Sequence, residues 1–204
     1  MCEVIEIEGK NEQEINENIT KELNLSKNDV VIIDSVEKSS LFKGKKIISK
    51  VIKKEDIKNY IKSFFSTLAK SFNISINCEI KNEENEFNIL LISDNNAILI
   101  GKAGKNLNAI QVILRTIIKR MTNNKVKINI DASNYKAKKI ENLENEIKKI
   151  IGEILETKVD VKLDPMNSYE RMIVHNYVND YKNLKTESIG EEPNRYIVIK
   201  YRED

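Results

Sequence analysis

Apolar residues in this chain switch repeatedly between two spacings, and that alternation limits the fold more than any other feature. Ile57, Tyr60, Ile61, Phe64, Phe65 and Leu68 recur at i, i+3, i+4 and i+7, the spacing of one helical face. Directly afterwards, Ile74–Ile80 and Phe87–Ile92 are short β-rich runs separated by the polar tip Asn82-Glu83-Glu84-Asn85. A short helix over Asn95–Ile100 is predicted next, then a long one over Lys105–Met121 with Ile110, Ile113, Leu114, Ile117, Ile118 and Met121 as its stripe, then a strand over Val126–Ile130. The order is α-β-β-α-α-β. Such a pattern specifies an α+β fold of small layers rather than a helical bundle or a sandwich.

The flanking segments repeat the theme. Residues 1–53 read as strand, helix, strand, strand. Val4–Ile7 is followed by a cap of Asn11 with Glu14 and by the stripe Ile15, Ile19 and Leu23; the runs Val30–Ile33 and Ile47–Ile52 enclose a loop holding Phe42 among lysines. Residues 134–204 read as a long helix over Asn134–Leu155, a strand over Val159–Leu163, a second helix ending near Tyr181 and two strands, Leu184–Ile189 and Arg195–Arg202. Two starts compete for the second helix: Pro165 in its first turn, or Asn167 with Glu170 as a capping pair. Three small domains are expected, over 1–53, 54–133 and 134–204, which a chain of 204 residues accommodates.

The chemical inventory is thin. His175 is the only histidine, and Cys2 and Cys78 stand far apart with no C-x-x-C, so neither a disulfide nor a metal site is expected. No phosphate-loop or dinucleotide fingerprint occurs, so no cofactor and no enzymatic activity are expected. The opening MCEVIEIEGKNEQE lacks a signal-peptide profile and no apolar run approaches ~18 residues, so a cytoplasmic chain without a membrane span is expected.

Charge is uneven although its sum is only +2. Residues 95–130 contain no Asp or Glu, yet they hold Lys102, Lys105, Arg115, Lys119, Arg120, Lys125 and Lys127, which implies a local positive field. Inside that stretch lies Gly101-Lys102-Ala103-Gly104-Lys105, between two predicted helices. Glycines let the backbone turn sharply and approach another chain, the next helix's N–H groups favour an anion, and Lys102 and Lys105 add charge. Ile98 and Ile100 would supply an apolar wall for bases. Placed there, Ala97-Ile98-Leu99-Ile100-Gly101-Lys102-Ala103-Gly104 resembles the GXXG loop of a KH domain of type II topology, which clamps about four nucleotides of a single strand.

A second constellation is Tyr169-Glu170-Arg171-Met172-Ile173-Val174-His175. Arg171 and His175 are four apart and share a helix face, where a guanidinium and a ring N–H could hold a phosphate, while Tyr169, Met172, Ile173 and Tyr177 would point away to be buried. The stretch Leu163–Asn167 through Glu170-Arg171 and His175, with Ser188–Arg195, resembles the R-three-H domain, which is associated with single-stranded nucleic acid. Asp164 and Met172 stand where that family often has a second proline and a second arginine. A KH domain followed by this domain, behind a module whose Glu8-Gly9-Lys10 and Leu41-Phe42-Lys43-Gly44 resemble the Jag N-terminal domain, is similar to the bacterial Jag family, also called KhpB. The resemblance implies RNA contacts at Ile98, Ile100, Gly101, Lys102, Ala103, Gly104 and Lys105, with a second set at Arg171, His175 and Arg195. It also implies an RNA chaperone or post-transcriptional regulator that binds single-stranded RNA or DNA. A small KH-domain partner or self-association, and a role in cell-wall and cell-shape control, are implied with it. The alternative is a protein-interaction adaptor whose KH unit serves dimerisation.

Overall fold

The computed structural model describes residues 2–40 and 44–203. They form two compact units, residues 1–133 and residues 134–204, with three three-stranded sheets between them. The architecture is α+β, as the alternating periods require, with the KH-type order in the middle segment.

The first unit opens with β1 (Ile5–Gly9), α1 (Glu12–Leu23), β2 (Val30–Ser40) and β3 (Gly44–Lys53), the strands antiparallel in the order β1-β3-β2. The Asn11 side chain accepts from the Glu14 N–H at 2.9 Å, the cap the sequence signals. Ile7, Val30 and Val51 face α1 and bury Ile15 and Ile19. The strands reach further toward each other than the β-branched runs suggest, with Ser40 paired to Gly44. Leu41, Phe42 and Lys43, in the loop between the two runs, lie outside the described residues. The opposite face of this sheet is buried as well, through Val31, Ile33 and Ile52, and Asn123 donates to the Ile33 carbonyl at 3.2 Å. The first and middle segments therefore share one unit while keeping separate sheets.

The middle segment runs α2 (Lys54–Phe72), β4 (Ile76–Glu83), β5 (Glu86–Ser93), α3 (Asn96–Ile100), α4 (Lys105–Met121) and β6 (Lys127–Ala132). Strands β4 and β5 form a hairpin with Glu83 opposite Glu86, so the tip is shorter than the polar run implied. Strand β6 pairs parallel to β5, which forces the chain to cross over the sheet, and α3 and α4 are that crossover. Ile57, Ile61 and Phe65 of α2 and Leu107, Ile110, Leu114 and Ile118 of α4 are buried. Ile113, expected in the core stripe, is 52% exposed; it lies about 100° from Leu114 around the helix, outside the arc that meets the sheet.

The second unit consists of α5 (Tyr135–Thr157), β7 (Val161–Lys162), α6 (Ser168–Val178), β8 (Leu184–Ile189) and β9 (Tyr196–Tyr201), with sheet order β7-β9-β8. Ile147, Ile151 and Ile154 of α5 and Val174 and Val178 of α6 pack on Leu184, Ile197 and Ile199. Strand β7 is two residues long because only Val161 and Lys162 find partners on β9, and Val159 is left exposed. Helix α6 starts after Asn167, not at Pro165: Asn167 and Glu170 close a reciprocal capping box with two 3.0 Å bonds. Among the described residues no helix is long and apolar enough to cross a membrane.

Leu114 is fully buried, so Leu114→Ala should destabilise the first unit by about 2–5 kcal/mol. Hydrogen exchange during urea unfolding should show amides of residues 54–132 losing protection earlier, while those of residues 135–201 are unchanged.

Candidate nucleic-acid interface

Helix α3 is capped by Asn95, whose side-chain oxygen accepts from the Ile98 N–H at 3.2 Å. It ends where the Gly101 N–H reaches the Ala97 carbonyl at 2.9 Å. Gly101 then turns to φ +71°, and Lys102–Gly104 make a single tight turn closed by Gly104 N–H to the Gly101 carbonyl at 3.1 Å. Ala103 and Gly104 also hold positive φ, at +55° and +82°. Three such residues within four positions throw the loop outward: Lys102, Ala103 and Lys105 are exposed while Gly104 is buried at the base.

A Cβ on Gly101 would lie 2.6 Å from Cγ of Asn106, so this glycine is required by space as well as by φ. Asn106, which the sequence pattern does not single out, donates from Nδ2 to the Ile98 carbonyl at 2.8 Å and ties the start of α4 back to α3. That bond satisfies one of the carbonyls left over at the end of α3. The first turn of α4 has no side-chain cap and no acid; the Lys105 N–H is taken by the Lys102 carbonyl, and the positive end of the helix dipole faces the loop without a carboxylate to neutralise it. Ile98 is 39% exposed and Ile100 half-buried beside the loop, while Leu99 between them is fully buried. The expected loop residues thus converge on one site that offers two lysines, the positive end of a helix dipole and an apolar wall.

The acid-free stretch does not form one patch. Arg115 is occupied internally, donating from Nη2 to the Ile128 carbonyl of β6 at 3.0 Å. Lys119 and Arg120 lie about 21 Å along α4 from the loop, at the end where cations complement the dipole. Lys125 and Lys127 line a shallow cleft with Glu83, Glu84 and Glu86 of the β4–β5 turn. Only Lys102 and Lys105 remain at the loop.

In the second unit the expected exposure of α6 is inverted at Tyr169, Arg171 and Met172, whereas Ile173 and Tyr177 are half-buried and Tyr177 packs on the core. Arg171 is 8% exposed, whereas Tyr169 and Met172 are 56% and 47% exposed. Arg171 spends its fork inside, donating from Nη1 to the Met166 carbonyl at 2.7 Å and to Glu192 at 2.8 Å. Its neighbour Glu170 is drawn into the capping box and meets Lys139 of α5 at 2.5 Å. A buried guanidinium needs such partners to offset its lost hydration. His175 Nδ1 is hydrogen-bonded to Thr186 Oγ1, and Arg195 donates from Nε to Ser188 Oγ at 2.9 Å. Thr186 and Ser188 lie on the helix-facing side of edge strand β8, so His175 and Arg195 are brought together along it, while Arg171 bonds elsewhere and reaches His175 through its charge.

A KH-domain model of the KhpA/KhpB type matches residues 54–130, and an R-three-H domain model matches residues 138–201. The RNA-binding protein KhpB of Clostridium symbiosum is 31% identical over 182 residues, covering 86% of this chain and 82% of the relative. The RNA-binding protein KhpB of Bacillus subtilis is 30% identical over 200 residues, covering 95% and 96%. A third KhpB, from Streptococcus pneumoniae, is 28% identical over 128 residues and is itself covered over 39% of its length.

Two outcomes follow for the second unit. Arg171→Ala should destabilise it by about 1–3 kcal/mol through the orphaned Met166 carbonyl and Glu192, measurable as a lowered urea midpoint; a purely surface arginine would leave the midpoint in place. The pKa of His175 is held below the ordinary imidazole value, first by desolvation and then by the Arg171 charge. The unfolded chain then binds the proton more readily, so this contribution is present above about pH 6.5 and is lost as pH falls through the lower folded pKa. Unfolding midpoints taken between pH 7.5 and 5 should fall less steeply for His175→Gln than for the wild type. Matched domains, their order and the similarity over most of the chain lead to one conclusion: the chain belongs to the KhpB family.

Proposed function

We propose that this chain binds single-stranded RNA at the Gly101–Lys105 loop and acts in the cytoplasm as an RNA chaperone or post-transcriptional regulator. The observation that carries the reading is the loop itself: two outward lysines over an uncapped helix start, braced by Asn106 and walled by Ile98. The names borne by its relatives agree with it. Arg171, His175 and Arg195 form a second basic cluster, in which His175 and Arg195 are the half-buried members that a strand could reach. A small KH-domain partner and a part in cell-wall and cell-shape control extend the family resemblance to this chain. The reading is non-enzymatic: the only histidine is engaged with Thr186, and the carboxylate nearest it on α6 is committed to a helix cap.

A second reading has one observation in its favour. Val112 and Ile113 are 60% and 52% exposed on the solvent side of α4, an apolar step that a KH partner or a second copy would cover. Association through α4 is compatible with RNA at the loop.

Fluorescence anisotropy with short labelled single-stranded RNAs tests the main reading. With roughly four to six phosphates held, log K should fall against log salt with a slope of about −3 to −4. The double change Lys102→Asp with Ala103→Asp should abolish the loop-dependent binding of an RNA of about four to six nucleotides while the far-UV circular dichroism stays native. Binding that is unchanged by that double variant would sink the site assignment, and Val112→Glu tested by sedimentation would then decide for the adaptor.

A further inference from the structure

Helices α5 and α6 cover one face of the sheet β7-β9-β8, the face that carries Ile197 and Ile199. Residues of the other face stand outside that core: Tyr196, Val198 and Lys200 alternate with the buried isoleucines along β9. Strand register adds Lys185, Glu187 and Ile189 from β8 and Lys162 from β7 to the same side. An antiparallel sheet can leave one face to water, and such a face is normally a mixture of polar residues of both signs. This one joins an aromatic ring and two branched apolar side chains to three lysines and Glu187, with the Asp160 carboxylate at the rim acting on Lys200.

The arrangement of the lysines is costly for the fold alone. Lys185 and Lys200 are direct cross-strand neighbours, and like charges placed opposite each other destabilise a sheet. Glu187 makes its ion pair with Lys200, at 2.5 Å, and feels Lys185 only through its charge, so two ammonium groups share one neighbouring carboxylate on these strands. Lys162 holds its ammonium 4.2 Å from the centre of the Tyr196 ring. The Tyr196 ring edge passes beside Gly190 at the β8–β9 turn, where a Cβ would come within 3.7 Å of it. Positive charge flanking an aromatic on an open sheet is the combination that takes up single strands, with bases stacked on the ring and phosphates on the cations.

We propose that this open face is a further single-stranded RNA surface, on the side of the sheet away from Arg171 and His175. A base stacks on Tyr196, and Lys162, Lys185 and Lys200 receive the flanking phosphates. The inference rests on the RNA-binding reading and adds to it a site with no signature residue. It also accounts for the signature itself, because Arg171, His175 and Arg195 make bonds inside the unit on the helix-facing side and brace the sheet that carries the open face.

The chain contains no tryptophan, so Tyr196→Trp in the full-length protein is a unique fluorescent reporter. Titration with oligouridine or oligoadenosine of about ten nucleotides should quench it saturably, and the quench should persist when Lys102→Asp and Ala103→Asp are added. Lys185→Glu should weaken the quench-derived affinity several-fold. In anisotropy on the loop-disabled background, Tyr196→Ala should cost at least about fivefold while Tyr196→Phe keeps the affinity, because stacking needs the ring and not the hydroxyl. If the reporter stays unquenched while RNA still binds through the loop, the sheet-face proposal is overturned and the loop reading stands. If RNA binds neither the wild type nor the reporter protein, both fall. Quenching that vanishes with the loop variant alone would likewise overturn an independent surface.

Discussion

The parallel pairing of β5 and β6 is the constraint on which the first unit's chemistry depends. Antiparallel neighbours close with two residues, as β4 and β5 do, but a parallel pair leaves the chain at the wrong end of the sheet. The return must be long and must pack on the sheet, and here α3 and α4 make it. A crossover of two helices needs a corner, and that corner is the Gly101–Gly104 loop with its run of positive φ values. The proposed RNA site is thus the solution to a topological problem, made available because a helix start at a sharp corner cannot cap itself. Asn106 stiffens the corner by bonding the Ile98 carbonyl, so the loop's lysines are presented from a braced turn rather than a loose one.

In the second unit the same logic runs inward. Arg171 closes over Met166 and Glu192 and so fastens both the entry to α6 and the β8–β9 connection. His175 and Arg195 meet hydroxyls of β8 two residues apart, which sets an imidazole held toward its neutral form and a guanidinium along one edge strand. A signature of basic residues therefore does structural work first, and whatever anion reaches it meets groups already engaged with the protein.

Much of the fold was legible in the residue pattern, for reasons that can be named. Periodicity located α4 over Lys105–Met121 because its buried positions repeat over several turns, and the Asn11 cap was readable because an Asn ahead of an amphipathic stripe is a local signal, while Asn167 with Glu170 was one of two starts that the sequence left open. Failures arose where a partner decides. Spacing places Arg171 and His175 on one face but cannot say which face meets the sheet, so Tyr169 and Met172 were expected inside and emerged outside. Ile113 was misplaced for the same reason. Sequence counting could not see that Lys125 and Lys127 would fold against Glu83, Glu84 and Glu86, forty residues earlier, and so the acid-free stretch overstated the positive field. Asn106 carries only a weak signal, an amide two residues past the GXXG. Its role exists only once α3 and α4 meet.

The cations that stay outside argue for the kind of recognition proposed. Lys102, Lys105 and Lys185 are flexible point charges on exposed backbone, with Lys162 beside an aromatic ring. Such groups follow a phosphodiester backbone without fixing a plane, whereas two of the five arginines, Arg115 and Arg171, spend their planar guanidinium groups on carbonyls of the protein itself. Charge and stacking of this sort tolerate many sequences and weaken with salt. On the proposed reading each surface alone would hold few phosphates, and one strand engaging two surfaces of a single chain would gain through effective concentration rather than through any new contact. Discrimination among RNAs by this chain would then follow from length and lack of secondary structure more than from base identity, which is the property a chaperone for unpaired RNA requires.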